Sequence, residues 1–463
     1  MSGVPFVLTA REMADAFGGV LGYGAEERPL PTLSIDTRTL APGDLYVALR
    51  GPRFDGHAFV AQAIARGAAG VVVSDPAAVT ATDLPVIVVE DTLRGLQEAA
   101  RVIRRRAGST VVAITGSAGK TTTKEITATL LGRRFTTFRN RGNLNNHIGL
   151  PLSLFELHTA PQFAVMELGM SGVGEISRLV SIAEPQVRVW TNVGEAHLGS
   201  FESVDDIALA KQEILEGAGS SDLFVANAGD PRVISRAAGF AGEVVTFGVG
   251  VPADVTVGAV ESRGLDGTAA TLSLRGDVHA IETRLLGGAN LANIAAASAV
   301  ALVAGIPANE IVAGVAGLVP ASHRGEVVRA PGGWVVIDDA YNSSPSALTR
   351  ALQTLATVPG RHVAMLGEML ELGDFSARYH AECGKAAAEL GVSVIVSVGG
   401  SAARALADAA SEAGSAVVHH VADSTAAAAL ARNLVREGDA VLVKGSRGIR
   451  MEAVVQALTE GGH

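Results

Sequence analysis

The chain has one cysteine, Cys383, so it can form neither a disulfide framework nor a cysteine-based metal site. Its setting, AECGKAAAE, reads as helix, which makes it a structural thiol rather than a nucleophile. Aromatic residues are scarce at 4%, while Ala, Val, Leu, Ile and Gly dominate. That balance suits helices alternating with buried parallel strands. No run of like charge is long enough for an interaction tail, and a net charge of -10 argues against a nucleic-acid surface. No apolar stretch reaches the length of a membrane span, and MSGVPFVLTAREM has neither a basic start nor a long apolar run. A cytoplasmic protein without a membrane span is expected. At 463 residues the chain exceeds a single core, and about three domains are the natural division.

One stretch organises the rest, VVAITGSAGKTTTKEITATLL from Val111 to Leu131. The apolar run Val111 to Ile114 suits a strand buried on both faces. A turn of small residues follows, Thr115, Gly116, Ser117, Ala118 and Gly119, and then Lys120, Thr121 and Thr122 open a helical pattern. Strand, glycine turn and helix in that order make an anion cradle, because backbone N–H groups close on phosphate oxygens at the positive end of the helix. Lys120 would reach the outer phosphates, and the Thr121 hydroxyl is placed for Mg²⁺. The turn has two residues between its glycines where the standard loop has four, yet the flanking elements and Lys-Thr-Thr point to a nucleoside triphosphate.

The expected segments are 1–107, 108–320 and 321–463. The first is a small α/β unit without a phosphate turn. Its cluster Arg53, Phe54, Asp55, Gly56 and His57 reads equally well as a binding loop or a solvated one. The central segment carries the phosphate turn and then an Asn-rich loop, RNRGNLNNHIGLP, whose Asn145 and Asn146 suit either a polar ligand or turns. Glu167 and His197 follow two strands, FAVMELG and VRVWTN. Ligands collect at the carboxyl ends of parallel strands; alone either residue reads as an ordinary polar rim group, but beside the cradle the pair suits a nucleotide-bound Mg²⁺ or Mn²⁺. In ESVDDIALAKQEILEG, Ile207, Lys211, Ile214 and Leu215 form one stripe, which turns Lys211 inward. An inward ammonium must be paired or modified, unless its stem snorkels to solvent. Asn290 and Asn293, at the start of an Ala-rich helix, would cap that helix or read a base edge. The last segment opens with a hairpin turning at Pro331-Gly332-Gly333. It then alternates strand and helix, which predicts a doubly wound parallel sheet. Its strand ends IDDAYNSSP and VKGSR concentrate polar groups, whereas the glycine turn GSRGIR carries little weight alone.

These features leave two classes: an ATP-driven ligase or kinase, and a nucleotide-gated switch. Polar loops at the rims of all three segments favour the enzyme.

TGSAGKTTTKE resembles the phosphate loop of the Mur ligases, which share the shortened glycine spacing, and the likeness extends over the whole chain. RGNLNNHIGLP, TNVGEAHLGSF, ALAKQEI, IDDAYNSSP, LGEMLELG and VKGSR resemble the branch that adds D-alanyl-D-alanine to UDP-N-acetylmuramoyl-tripeptide. The Asp-Asn-Pro-Arg motif typical of the branch that adds the third, diamino acid residue is absent. The resemblance implies three α/β domains: a UDP-substrate domain, a central ATPase domain and a Rossmann-like last domain. It implies that Thr37 and the Arg53 to His57 cluster hold the UDP-linked substrate. ATP falls to Thr115 to Thr122, with Asn290, Asn293, Arg324 and Asp338 at adenine, ribose and phosphates. Two Mg²⁺ ions fall to Thr121, Glu167, His197 and Lys211, the last as a carbamate. Lys120, Lys211, His197 and Glu167 are then the catalytic set. Tyr341, Asn342 and Ser343, with Asn145 and Asn146, are implied substrate contacts. The family usually has a histidine before the asparagine at 290, where this chain has Ala289, so base recognition is expected to rest on Asn290, Asn293 and backbone groups. A monomer acting on small molecules is implied.

Overall fold

The computed structural model describes residues 4–80, 83–195, 198–414 and 416–460. The chain divides into two compact units, one of Met1–Ile114, Arg134–Arg188 and Glu213–Asp222, the other of Thr115–Arg133, Val189–Gln212 and Leu223–His463. They interleave in sequence, because the strand before the phosphate turn falls in the first and the helix after it in the second.

The first unit contains a five-stranded mixed sheet in the order Val20–Tyr23, Val86–Val88, Gly70–Val73, Leu45–Val47, Leu33–Ser34, antiparallel only at Val20–Tyr23. Its strand Gly70–Val73, one glycine and three valines, is buried throughout, and Tyr46, Val71 and Val73 pack on Val60 and Ala63 of the helix Val60–Ala65. The strand Leu33–Ser34 ends early, because the Ser34 side chain accepts from the Asp36 N–H and turns the chain. Helix Thr92–Ala107 begins at Asp91, whose carboxylate accepts from the Leu93 and Arg94 N–H groups. Its basic end is not all solvated: Arg104 turns inward and donates to the Ala183 carbonyl and the Gln186 side chain. The same unit pairs Phe163–Glu167 in parallel with both Thr110–Thr115 and Thr137–Arg139. Val111, Val112 and Ile114 are fully buried there, each stabilising the fold by about 1.5–3 kcal/mol.

In the second unit, Leu223–Asn227, Glu243–Val249 and Val255–Ser262 pair in parallel. Thr268–Leu274 and Asp277–Thr283 then extend them as antiparallel strands. The Ala-rich helix Gly287–Val303 packs on these strands, buried almost continuously from Ile294 to Ala301. A six-stranded sheet follows in the order Glu326–Arg329, Val335–Asp339, Asp439–Lys444, Arg361–Gly367, Val394–Val398, Val417–Val421. Side-chain alternation divides its strands between two cores. Ala364, Leu366, Ile395 and Leu442 face helices Pro345–Ala356, Ser376–Glu389 and Ser401–Ala413. Val363, Met365, Val396 and Val443 face helices Ser424–Leu434 and Glu452–Thr459. This is the doubly wound arrangement the alternation predicts. Among the described residues no helix is long and apolar enough to cross a membrane.

Candidate active site

The turn after Thr115 is shaped by two glycines with no room for a side chain. Gly116 (φ 150°) would place a Cβ 1.9 Å from Thr191 Oγ1, and Gly119 (φ 81°) would place one 2.3 Å from Asn293 Oδ1. The loop Thr191–Gly194 pins the turn from one side. Ser117 N–H donates to the Asn192 carbonyl at 3.0 Å, and Ala118 N–H to Asn192 Oδ1 at 2.9 Å. Thr191 Oγ1 donates to the Ala118 carbonyl at 2.7 Å, and Gly194 N–H to Ser117 Oγ at 2.9 Å. Lys120, the first residue of helix Lys120–Leu131, folds back so that Nζ donates to the Gly116 carbonyl at 2.8 Å. Thr121 and Thr122 lie in the first helical turn. A preformed glycine concavity, a cation over it and a helix start behind it fit a triphosphate.

Lys211 lies on helix Val204–Gln212, whose start is fixed by Ser203 Oγ accepting from the Asp206 N–H at 3.2 Å. Ile207, Ala208 and Ala210 are buried with it, and Lys211 is only 1% exposed. Burial pushes its pKa well below the ordinary lysine range, and the nearby Lys120 cation pushes the same way. Both effects shift the balance toward the neutral amine, the nucleophilic form. His197 lies outside the described residues. Glu167 ends its strand in the first unit, 4% exposed. Asn145 Nδ2 donates to its carboxylate at 2.8 Å, and its N–H donates to Asn140 Oδ1 at 2.9 Å. Asn146 Oδ1 accepts from the Gly149 N–H at 2.8 Å and starts helix Gly149–Phe155. Much of the Asn-rich loop thus orients Glu167 and shapes the chain. Among the described residues, no group of three or more His, Cys, Asp or Glu forms a ready metal cluster.

The second unit ties the phosphate-loop helix to the last sheet. Arg324 donates to Thr121 Oγ1 at 2.9 Å, and its guanidinium lies 4.1 Å from the centre of the Tyr341 ring. Arg447, in the GSRGIR turn given little weight above, approaches the same ring at 5.0 Å. Two cations on one phenol ring are each attracted by its electron-rich face. Asp338 is 2% exposed and bonded to His323 Nδ1 at 2.7 Å; burial raises its pKa, with the histidine opposing. Lys444 Nζ joins Asp339 Oδ2 at 2.6 Å to the Asn342 carbonyl at 2.9 Å. Asn342 Oδ1 accepts from the Ser343 N–H. Asn290 and Asn293 both have protein partners: Asn290 donates to the Leu286 carbonyl, and Asn293 Oδ1 accepts from Thr123 Oγ1 of the phosphate-loop helix at 3.2 Å. Lys444 and Arg447 fall within VKGSR, whose polar strand end suits binding, but their partners Asp339 and Tyr341 lie more than a hundred residues away, and His323 carries no local signal.

In the first unit, Thr37 is buried and donates to Gln62 Oε1 at 2.9 Å. Arg53, Phe54 and Asp55 are exposed, while Gly56 and His57 are buried. His57 Nε2 accepts from the Ser74 N–H at 2.9 Å, so the ring proton sits on Nδ1, facing Asp55 Oδ1 at 2.6 Å. The Tyr46 hydroxyl donates to the Gly56 carbonyl. The loop is therefore anchored at its base and open at Arg53 and Phe54.

A glycine phosphate turn and a doubly wound last sheet define a phosphate-loop α/β protein with a Rossmann-like final domain. Three sequence families match: the Mur ligase family catalytic domain over residues 31–104, the Mur ligase middle domain over 114–301, and the Mur ligase glutamate ligase domain over 323–447. The chain is 36% identical over 459 residues to UDP-N-acetylmuramoyl-tripeptide–D-alanyl-D-alanine ligase of Escherichia coli (strain K12), covering 98% of this chain and 99% of that one. The Bacillus subtilis (strain 168) ligase of the same name is 32% identical over 455 residues, with 98% of each covered. Among solved structures, MurF from Acinetobacter baumannii superposes with a TM-score of 0.89 at 32% identity, over 99% of this chain and 100% of that one. MurF ligase from Thermotoga maritima in complex with ADP gives 0.82 at 29% identity, over 92% and 96%. The chain belongs to the Mur ligase family, whose members are ATP-dependent amide ligases. Its N-terminal, middle and C-terminal Mur domains give the three-part α/β organisation expected from the sequence.

Proposed function

We propose that this protein joins D-alanyl-D-alanine to UDP-N-acetylmuramoyl-tripeptide, converting ATP to ADP and phosphate, and so makes the pentapeptide precursor of peptidoglycan. The observation that carries this reading is the closed glycine turn under Lys120, with buried Lys211 feeling the Lys120 charge, in a chain similar over nearly its whole length to ligases of that name.

The turn Thr115–Thr122 holds the triphosphate, with Lys120 and Arg324 countering its charge and Asn290, Asn293 and Asp338 at the nucleoside end. Thr121, Glu167, His197 and a carbamylated Lys211 would hold two Mg²⁺ ions, which neutralise charge on the phosphoryl group in transfer. Carbamylation suits Lys211 because CO₂ adds to a neutral amine, and the product carries the negative charge a metal needs. The tripeptide carboxylate attacks the γ-phosphorus and ADP leaves, giving an acyl phosphate. The dipeptide amine then attacks the acyl carbon, the C–O bond to phosphate breaks, and the amine proton is lost as the amide forms. Thr37 and Arg53 to His57 receive the UDP-linked substrate, and Tyr341, Asn342, Ser343, Asn145 and Asn146 line the peptide. The domains are taken as 1–107, 108–320 and 321–463 in a cytoplasmic monomer.

Phosphate release with the UDP-tripeptide tests the reading. D-alanyl-D-alanine should support turnover, whereas D-alanine, diaminopimelate and glutamate should not. Turnover with diaminopimelate or glutamate in its place would overturn the assignment.

A further inference from the structure

Three polar side chains of the second unit, buried or partly buried, lie outside every side-chain interaction described above. Glu195 Oε2 and Ser343 Oγ are both shielded from solvent and have no hydrogen-bond partner among the described residues, and Ser343 is 6% exposed. The Arg350 guanidinium, partly buried, makes no hydrogen bond or ion pair among the described residues. Desolvation holds its pKa below the usual arginine range, with Glu195 and Asp339 pulling the other way. Asp339 already pairs with Lys444, which leaves Glu195 as the unmatched counter-charge.

The helix Pro345–Ala356 explains how these groups come together. Ser346, Arg350 and Thr354 are spaced four apart and share one face. The two ends of that stripe are fixed: a Cβ on Gly194 would lie 3.3 Å from Ser346 Oγ, and one on Gly287 would lie 2.5 Å from Thr354 Oγ1. Arg350 therefore faces the region between the loop that pins the phosphate turn and the start of the Ala-rich helix Gly287–Val303. Helical side chains lean toward the helix start, so its stem runs toward Ser346 and the Gly194-Glu195 loop. Ser343 stands just before this helix, whose first residue follows a Ser344 cap that makes no side-chain hydrogen bond. Buried polar groups without partners are costly, and a ligand that meets them recovers that cost.

Resting on the function proposed above, we infer that Arg350 and Ser343 receive the terminal carboxylate of the incoming dipeptide, while Glu195 holds its amine end near the phosphate turn. A dipeptide carries its two charges roughly 7 Å apart. Such a ligand suits a cation and a carboxylate that attract without touching. The pair selects an acceptor with a free carboxylate and sets its direction, amine toward the phosphate loop.

The test compares D-alanyl-D-alanine with its C-terminal amide on the intact enzyme. The wild-type KM should be roughly 10- to 100-fold higher for the amide, the worth of one charge-assisted contact. Arg350→Met should raise KM for the acid by a similar factor and leave acid and amide within about threefold. KM for ATP and for the UDP-tripeptide should stay within about twofold. Glu195→Gln should raise KM for both dipeptides and keep the preference for the acid. A wild-type enzyme indifferent to the amide overturns the inference and needs no variant. So does an Arg350→Met enzyme that still prefers the acid, or one whose raised KM is that for ATP. Should Arg350→Met fail to fold, Arg350→Lys serves instead, with part of the acid preference retained. If the wild type ligates D-alanyl-D-alanine but shows no carboxylate preference, only this inference falls; if it ligates a different amino acid, the functional reading falls with it.

Discussion

Lys124 and Lys211 are equally buried, each 1% exposed, yet the charges around them have opposite signs. Lys124, on the phosphate-loop helix, has the Glu125 carboxylate 3.3 Å from Nζ. Lys211 has the Lys120 cation acting on it instead, on top of its own desolvation. A neighbouring anion offsets the desolvation of an ammonium, and a neighbouring cation adds to it. Depth of burial therefore does not separate a structural lysine from one set up for chemistry. For these two residues the sign of the neighbouring charge does: Glu125 follows Lys124 in the chain, whereas Lys120 is brought to Lys211 by the fold.

The largest effect expected is from removing the charge that makes the difference. Lys120→Ala should lower turnover by on the order of 10³-fold or more, since it takes a cation from the transferring phosphoryl group. Far-UV circular dichroism should be unchanged; substantial residual ligation would count against the proposed site. The comparison is then sharpened by matched substitutions at the two buried lysines. Lys211→Met should cost roughly 10²- to 10³-fold in turnover with no loss of stability, because it removes a cost of burial along with a proposed metal ligand. Lys124→Met should keep turnover within about threefold but lower unfolding free energy by about 1–3 kcal/mol in urea titrations. Equal losses of turnover in both variants would break the distinction. Depleting dissolved CO₂ should depress the wild-type rate reversibly, and bicarbonate should restore it.

How far all this could be read from the sequence follows the same line. Where burial is apolar, residue pattern suffices: the alternation in HVAMLG and AVLVKG fixes which side chains face each core of the last sheet, and the hairpin at Gly332-Gly333 forms where its turn residues stand. Lys211 was legible as an inward residue because three apolar neighbours define its stripe. The Asn-rich loop was ambiguous, since amides serve ligands and turns alike, and Asn140, Asn145 and Asn146 all have structural partners. Arg324 meeting Thr121, or Arg350 facing the Glu195 loop, could not be read locally. Those approaches join positions far apart in the chain, and no spacing rule reaches that distance.

Cys383 extends the comparison to a buried titratable group with no chemistry to perform. It is 3% exposed in the core beneath helix Pro345–Ala356, and burial pushes its thiol up to about 12. Because the folded pKa lies above the unfolded one, the protonated thiol contributes stability that is complete below the ordinary thiol pKa of 9.0 and lost as pH rises toward about 12. Cys383→Ala should therefore have a melting temperature that falls less between mildly and strongly alkaline buffer than the wild type does, at the cost of a slightly lower value near neutrality. As the chain has no other cysteine, labelling needs no deconvolution. A thiol reagent near pH 8 should modify the native protein on the order of 10³-fold more slowly than the denatured chain, and ligase activity should survive the exposure. Rapid native-state labelling would mean that the core around Cys383 opens readily, and burial there would then resemble the active-site rim more than the packing of the last sheet implies.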